Sequence, residues 1–445
     1  MHNRIKEKRE QALNDKIKVK YPRIRGMKDI LFDEYRYFDL VVSKACDIAK
    51  AYGFKRIEMP VLERTELYER TTGKLSDIVA KEMYSFVDRG GEKVALRPEA
   101  TPSLVRAYIE HGMFNQSQPI KTFWSGPLFR YDRPQAGRYR QHNQFNLDIF
   151  GEASPMADVL LILIAHTYFK ELQLNVEVQI NSIGCVGCRK EYLEKLKDYY
   201  KPRLLKAKLC TECKKRIVKN PLRVLDCKEP CCVESLREAP HIVDSLDDDC
   251  RAHFVKVLEY LDELNIPYNL NPFLVRGLDY YTKTVFEIWP ISEETSDVKL
   301  VALGGGGRYD DLIEYMGGRA TPACGFGIGI ERVILKIKEN NIILKSESQN
   351  AVFLAQIGEQ ARRKAFVLFE DLRKGGFNAS QSFTRDALRA QLEDANRVDA
   401  KYTLILGQKE VVDNTILIRD MDSGVQEIVD FKKVIPELTK RLANK

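Results

Sequence analysis

Apolar residues recur at helical spacing over residues 32–52, at Phe38, Val41, Val42, Ala45, Ile48 and Ala49, and the run stops at Gly53. This predicts a long amphipathic helix. Residues 54–59 then read as a strand closed by Pro60, and further strands are expected at 83–88, 93–97, 121–131 and 144–150. Turn signals separate them at Arg89-Gly90-Gly91 and at 134–137, while 102–111 has helical character. Hairpins with helices to one side predict an antiparallel sheet, hence an α+β class for this region.

The pattern breaks near residue 184. From there to Cys250 the chain holds eight of its ten cysteines among Lys, Arg and Glu, which marks an inserted module. The earlier character returns at Tyr268, with strands expected at 284–289 and 298–303 and helices at 309–316 and 331–339. Beyond it, strands and helices alternate as in a separate α/β domain of about 95 residues. The expected division is therefore 1–183 and 268–340 as two parts of one core, 184–267 as a helical Cys-rich insertion, 341–350 as a linker and 351–445 as the α/β domain.

Composition changes this picture little. With 71 basic against 64 acidic residues, the net charge of +7 permits nucleic-acid contact without demanding it. No apolar run approaches the roughly 20 residues needed to span a bilayer. The first residues mix Lys, Arg, Glu and Asp with no apolar core, unlike a secretory signal, and the acidic residues disfavour a transit peptide. Cysteines in such a chain read as reduced thiols or metal ligands, and a cytoplasmic location is expected.

Four clusters could carry chemistry. Arg130, Arg133, Arg138 and Arg140 surround the turn Pro134-Gln135-Ala136-Gly137 on a strand-loop-strand frame. Guanidinium groups match phosphate oxygens two at a time, so an aimed set suits a nucleoside triphosphate; a solvated basic hairpin is the bland alternative. In Leu96-Arg97-Pro98-Glu99-Ala100-Thr101, a carboxylate and a hydroxyl two residues apart would share a strand face and suit an ammonium group. Thr101 capping a helix before Pro102 explains the same residues. In the segment LVRGLDYY, Arg276 stands beside Gly277 and is followed by Tyr280 and Tyr281, which a structural turn with core tyrosines also explains. The fourth cluster, LGGGGRYD followed by CGFGIGIERVIL, lacks the Lys-Ser or Lys-Thr of a P-loop, and its glycines mark close approach of a backbone or ligand.

Taken in order, these segments resemble the class II aminoacyl-tRNA synthetases: a long helix, strand and proline, then FRxxRPxxGRxRQ, then GIGIER. RPEAT, LVRGLDYY and GGGRYD are similar to the histidyl-tRNA synthetase family in particular, and the resemblance runs over nearly the whole chain. It implies a synthetase that joins L-histidine to the 3′ end of tRNA(His) through histidyl-adenylate, consuming ATP and releasing AMP and pyrophosphate. By the same resemblance, Glu99 and Thr101 hold the α-ammonium, Gln144 and Asp148 line the histidine pocket, and Tyr280 and Tyr281 lie over the imidazole. Arg130 contacts the α-phosphate and the substrate carboxylate, and Arg276 is the catalytic arginine near the α-phosphate. Arg138 takes the terminal phosphates, and Arg332 stacks on adenine. Mg2+ is implied as ATP's counter-ion, the C-terminal domain as the anticodon reader, and the first helix and strand as the interface of a homodimer.

The chain departs from the family at His142, where an aromatic Phe is usual beside the adenine. Imidazole charges near neutral pH, so weaker or pH-dependent ATP binding is expected. Asp148 stands where some relatives carry Glu. In the insertion, Cys185, Cys188, Cys210 and Cys213 form two CxxC pairs close to zinc-ribbon spacing and are candidate ligands of a structural Zn2+, with packing cysteines as the alternative. A silent relative, such as a regulatory subunit of ATP phosphoribosyltransferase, generally lacks the C-terminal domain, which this chain has together with Arg130, Arg276 and Arg332.

Overall fold

The apolar alternation around the arginine turn folds into a hairpin of two ten-residue strands. A computed structural model describes residues 20–73, 76, 78–205, 209–291, 301–342 and 352–443. Contacts divide the chain into two units, Met1–Ile342 and Ile343–Lys445. The strands of the first unit are β1 (Lys55–Arg56), β2 (Leu62–Arg64), β3 (Ser85–Val87), β4 (Lys93–Leu96), β5 (Ile120–Phe129), β6 (Gln141–Phe150), β7 (Val176–Ser182), β8 (Tyr268–Leu270), β9 (Thr282–Pro290), β10 (Gly304–Arg308) and β11 (Ala323–Gly329). Eight of them form one sheet in the order β1-β5-β6-β11-β10-β9-β7-β8. Its inner pairs are antiparallel, and only the edge strands β1 and β8 run parallel to their neighbours. β2, β4 and β3 make a small antiparallel sheet beside it.

Period-two alternation decides what each face of the large sheet does. Phe145, Leu147 and Ile149 of β6, with Phe286, Ile288, Phe326 and Ile328 of its neighbours, pack into one apolar cluster. The helices Phe32–Ala51, Pro155–Glu171, Asp248–Glu263 and Ile330–Glu339 cover that face, contributing Val41, Leu161, Val257 and Val333. Each such fully buried side chain contributes about 1.5–3 kcal/mol. A one-residue slip of β6 would expose three of them, so the register is tightly specified. His142, Gln144, Asn146 and Asp148 are thereby left on the opposite face.

Several expected elements shift. The strand expected at 54–59 is only β1, at the sheet edge. That expected at 298–303 instead starts at Gly304; residues 298–300 lie outside the described ones, and 301–303 are not in a strand. β10 is built from the glycines themselves because its neighbours leave no room for side chains. A Cβ on Gly306 would lie 2.1 Å from the Gly325 carbonyl oxygen, and one on Gly307, at φ +153°, would lie 2.4 Å from that of Thr284. β4 ends at Leu96 and the next helix, Thr101–Glu110, begins at Thr101 with Ala100 as its N-cap. Thr101 is therefore neither a strand partner of Glu99 nor the cap itself.

The insertion is helical, with helices Val186–Leu205, Thr211–Lys219 and Pro230–Leu236 and short 3-10 turns at Pro221–Val224 and Ile242–Ser245. Its Tyr192, Leu196, Val224 and Leu236 join the cluster that also holds Trp124, Tyr280 and Tyr281. The expected linker falls almost wholly outside the described residues. The second unit is an α/β fold with strands β12 (Val352–Gln356), β13 (Ala379–Gln381), β14 (Tyr402–Leu406), β15 (Thr415–Asp420) and β16 (Gln426–Asp430) in the order β13-β12-β14-β15-β16. β13, β12 and β14 are parallel, and β15 and β16 continue the sheet antiparallel.

Candidate active site

Across the uncovered face of the large sheet, Glu287 of β9 stands opposite Gly305, Gly305 opposite Gly327, and Gly327 opposite Asn146. Glycines in the middle of that row leave a floor without side chains, and a cavity of about 520 Å³ stands on it. Glu99, Thr101, Arg130, Arg138, His142, Gln144, Arg276, Tyr280, Tyr281 and Arg332 all line this cavity. Four segments far apart in sequence thus meet around one space.

Glu99 lines it and is 4% exposed. Thr72 Oγ1 donates to Oε1 at 2.5 Å and Tyr280 Oη donates to Oε2 at 2.8 Å. Burial pushes the Glu99 carboxyl up from its ordinary value, opposed by those two hydrogen bonds and the Arg130 charge. A cation entering beside it would repay that cost. The rings of Tyr280 and Tyr281 lie 4.9 Å apart, and Tyr309 meets Tyr280 edge-on at 5.8 Å. Asp148 is placed differently from expectation. It lies behind the lining, 1% exposed, with its Oδ1 accepting from Tyr309 Oη at 2.5 Å. Burial pushes the Asp148 carboxyl up to about 7. The group that meets the cavity is Tyr309, the tyrosine of GGGRYD.

The arginine turn separates into two roles. Arg130 and Arg138 line the cavity, Arg130 Nε donating to the Pro98 carbonyl at 2.8 Å and Arg138 pairing with Asp132 at 3.3 Å. Arg140 instead stacks on Tyr131, 3.6 Å from its ring centre, and Arg133 is exposed. Arg276 pairs with Glu287 and lies over Gly305, where a Cβ would come within 2.6 Å of its Nη1. Its buried Nε has no hydrogen-bond partner among the described residues, nor has Asn146 Oδ1. Both are polar atoms that a substrate could satisfy. Arg332 donates from Nη1 to the Ala302 carbonyl at 2.8 Å; burial and the neighbouring Arg138 and Arg130 charges pull its guanidinium down to about 10.

His142 is held neutral, contrary to the expectation that it charges near pH 7. Burial, then the Arg130 and Arg332 charges, drive its imidazole down to about 3. Its ring therefore stays uncharged throughout pH 6–8. The ATP KM of the protein and of His142→Phe is expected to run in parallel over that range, measured by pyrophosphate exchange; diverging curves would mean that the imidazole titrates after all.

Sequence reasoning missed Thr72, Asn146, Tyr309, Glu287 and the insertion's Arg223 and Asp226, of which all but Thr72 line the cavity. β6 alternation pointed to Asn146; nothing local marks the others. The four candidate metal ligands also separate. Cys185 and Cys188 do not join Cys210 and Cys213: each pair converges with different partners, Asp247 and Cys250 in one case and Cys227 and Cys232 in the other.

A glycine-floored antiparallel sheet that gathers Arg130, Arg138, Arg276 and Arg332 around a buried Glu99 is the catalytic core of a class II aminoacyl-tRNA synthetase. The profile described as Histidyl-tRNA synthetase matches residues 26–333, and that described as Anticodon binding domain matches 351–441. The chain is 44% identical over 410 residues to the histidine–tRNA ligase of Natranaerobius thermophilus, covering 92% of this chain and 96% of that one. It is 43% identical to that of Dehalococcoides mccartyi over 95% of this chain and all of the relative. The crystal structure of apo S. aureus histidyl-tRNA synthetase superposes with a TM-score of 0.79 at 33% identity, over 95% of this chain and 100% of that one. The chain belongs to the histidyl-tRNA synthetase family.

Proposed function

We propose that this cavity makes histidyl-adenylate, with Arg130 and Arg276 carrying the negative charge that builds up on the α-phosphate. The family's enzymes charge tRNA(His) with histidine in two steps, and the chain carries both the catalytic and the anticodon-binding domain that this requires. In the first step a histidine carboxylate oxygen attacks the α-phosphorus in line, its bond to the β-phosphate oxygen breaks, and pyrophosphate leaves. In the second, the terminal ribose hydroxyl of tRNA(His) attacks the activated carbonyl and AMP leaves.

The carrying observation is the convergence of four arginines and one buried carboxylate on a single cavity. Glu99, oriented by Thr72 and Tyr280, takes the α-ammonium, with Thr101 beside it. Gln144, Tyr280 and Tyr281 enclose the imidazole, and Asp148 acts on it only through Tyr309. Arg138 binds the terminal phosphates, while Arg332 and neutral His142 hold the adenine. Preorganised guanidinium groups suit this chemistry because they need no reorientation as charge develops. Mg2+ accompanies ATP as its counter-ion, and the cysteine module carries structural metal. The protein works as a homodimer in the cytoplasm; the exposed Leu31, Phe32 and Tyr35 at the start of the first long helix suit the dimer contact.

ATP–pyrophosphate exchange against all twenty amino acids tests the proposal. Exchange with histidine alone is expected, and exchange with none, in protein that binds histidine, overturns it. Glu99→Gln keeps the shape and removes the charge. A charge-assisted hydrogen bond is worth about 1.5–3 kcal/mol, so the histidine KM should rise about 10–100-fold at unchanged ATP KM. An unchanged histidine KM would remove Glu99 from the ammonium site.

A further inference from the structure

Two groups of side chains in the insertion converge on points that hold nothing of the aminoacylation chemistry. In the first, the sulfurs of Cys210, Cys213, Cys227 and Cys232 all lie within 4.8 Å of one another, with Cys210 and Cys227 at 3.9 Å. In the second, one ligand atom each from Cys185, Cys188, Asp247 and Cys250 satisfies the same limit, with Cys185 and Cys188 sulfurs 3.6 Å apart. A tetrahedral zinc site with bonds of about 2.3 Å has sulfur–sulfur edges of about 3.8 Å. A disulfide would need about 2.0 Å, and all these thiols are free.

Packing cysteines do not explain the details. Backbone N–H groups point at the sulfurs: Cys210 N to Cys232 Sγ at 3.2 Å, Cys213 N to Cys210 Sγ at 3.4 Å, and Asp247 N to Cys188 Sγ at 3.2 Å. Such donors neutralise part of the charge on metal-bound thiolates. Asp247 divides its two oxygens. Oδ1 caps the helix Asp248–Glu263 by accepting from Cys250 N at 2.7 Å, while Oδ2 lies 3.2 and 3.1 Å from the sulfurs of Cys185 and Cys188. Cys231 is exposed and belongs to neither group.

We propose that the insertion binds two structural Zn2+ ions, one in a four-cysteine site (Cys210, Cys213, Cys227, Cys232) and one in a three-cysteine, one-aspartate site (Cys185, Cys188, Cys250, Asp247). Thiolate-rich tetrahedral sets select zinc among the common divalent ions. Nothing in the proposed adenylation step requires either ion, so the proposal stands apart from that reading. The two sites fasten different things. The second ties the chain where it leaves β7 to the helix by which it returns, closing the root of the whole insertion. The first closes a loop whose tip reaches the catalytic cavity: Asn220 Nδ2 donates to Asp279 Oδ1 at 3.1 Å, and Arg223 and Asp226 line the cavity wall. A small helical module gains most from such clips.

Zinc content of the purified full-length chain, dialysed against zinc-free buffer after exposure to ZnCl2, should be two per chain. Cys213→Ser and Cys250→Ser should each hold one, and Cys231→Ser two. One or none in the unaltered chain, or loss from Cys231→Ser, overturns the proposal. Should the ligand variants fail to fold, cobalt replaces zinc in the unaltered chain. Two equivalents giving thiolate-to-cobalt charge transfer support it, and fewer than two refute it. Metal content is read without any aminoacylation assay, so its outcome is independent of histidine exchange.

Discussion

Replacing Arg276 by glutamine should slow histidine-dependent pyrophosphate exchange about 10²–10³-fold, the usual cost of losing one preorganised donor to a developing oxyanion. Histidine should still bind, because Glu99, Thr72 and Tyr280 do not depend on Arg276 for their hydrogen bonds. The guanidinium is held from three sides: Glu287 pairs with it, the Tyr281 ring lies 5.5 Å from it, and Gly305 leaves the space it occupies. Glutamine retains some of the length and loses the charge. Comparing kcat for exchange with the histidine Kd by calorimetry separates the roles. A large loss in kcat with histidine binding kept is the expected pattern, and normal turnover would refute the assignment. Loss of both would instead place Arg276 in ground-state binding of histidine.

Arg308→Met should destabilise the first unit by about 3–5 kcal/mol, because it leaves a buried charge without its partner. Arg308 is fully buried at the end of β10. Its Nη1 donates to Asp158 Oδ2 at 2.7 Å, its Nη2 to the Glu152 carbonyl at 2.5 Å and its Nε to Asp310 Oδ1 at 3.1 Å. Asp158 is 2% exposed, and its one other side-chain partner among these contacts is His253, 3.3 Å away. The arginine therefore locks the glycine strand to the helix Pro155–Glu171. A lower urea midpoint at unchanged slope is the expected result, partly restored by adding Asp158→Asn. A midpoint within error of the parent would show that Asp158 finds another partner. Arg308 also shows why a motif is not a site: the arginine of GGGRYD builds the floor, while the neighbouring Tyr309 faces the ligand space.

Much of the fold was readable from local pattern. The first long helix, the β5–β6 hairpin, the Cys-rich module and the C-terminal α/β unit all stand where periodicity and composition put them, because each buries a face that its own spacing defines. Strand limits were less readable where side chains are absent. The four glycines of β10 have no alternation to detect, and only the Gly327, Gly325 and Thr284 carbonyls and the Arg276 guanidinium beside them explain why glycine is required there. The site divides in the same way. Glu99, Arg130, Arg138, Arg276, Tyr280 and Tyr281 were named from ordered motifs, and they share one cavity. Thr72, Glu287 and Arg223 carry no local mark, and the neutrality of His142 follows from burial beside two arginines, which spacing does not reveal.

The sequence by itself determined the class of the fold, the family, and many of the side chains that line the cavity, since those follow from periodicity and from ordered motifs within single segments. Only the tertiary structure decided that Asp148 lies behind Tyr309, that Arg140 stacks on Tyr131 and Arg308 is buried against Asp158, and that the CxxC pairs part company into two four-residue groups. The Asp148, Arg308 and cysteine placements depend on contacts between residues tens to hundreds of positions apart, and long-range geometry of that kind leaves no trace in local spacing.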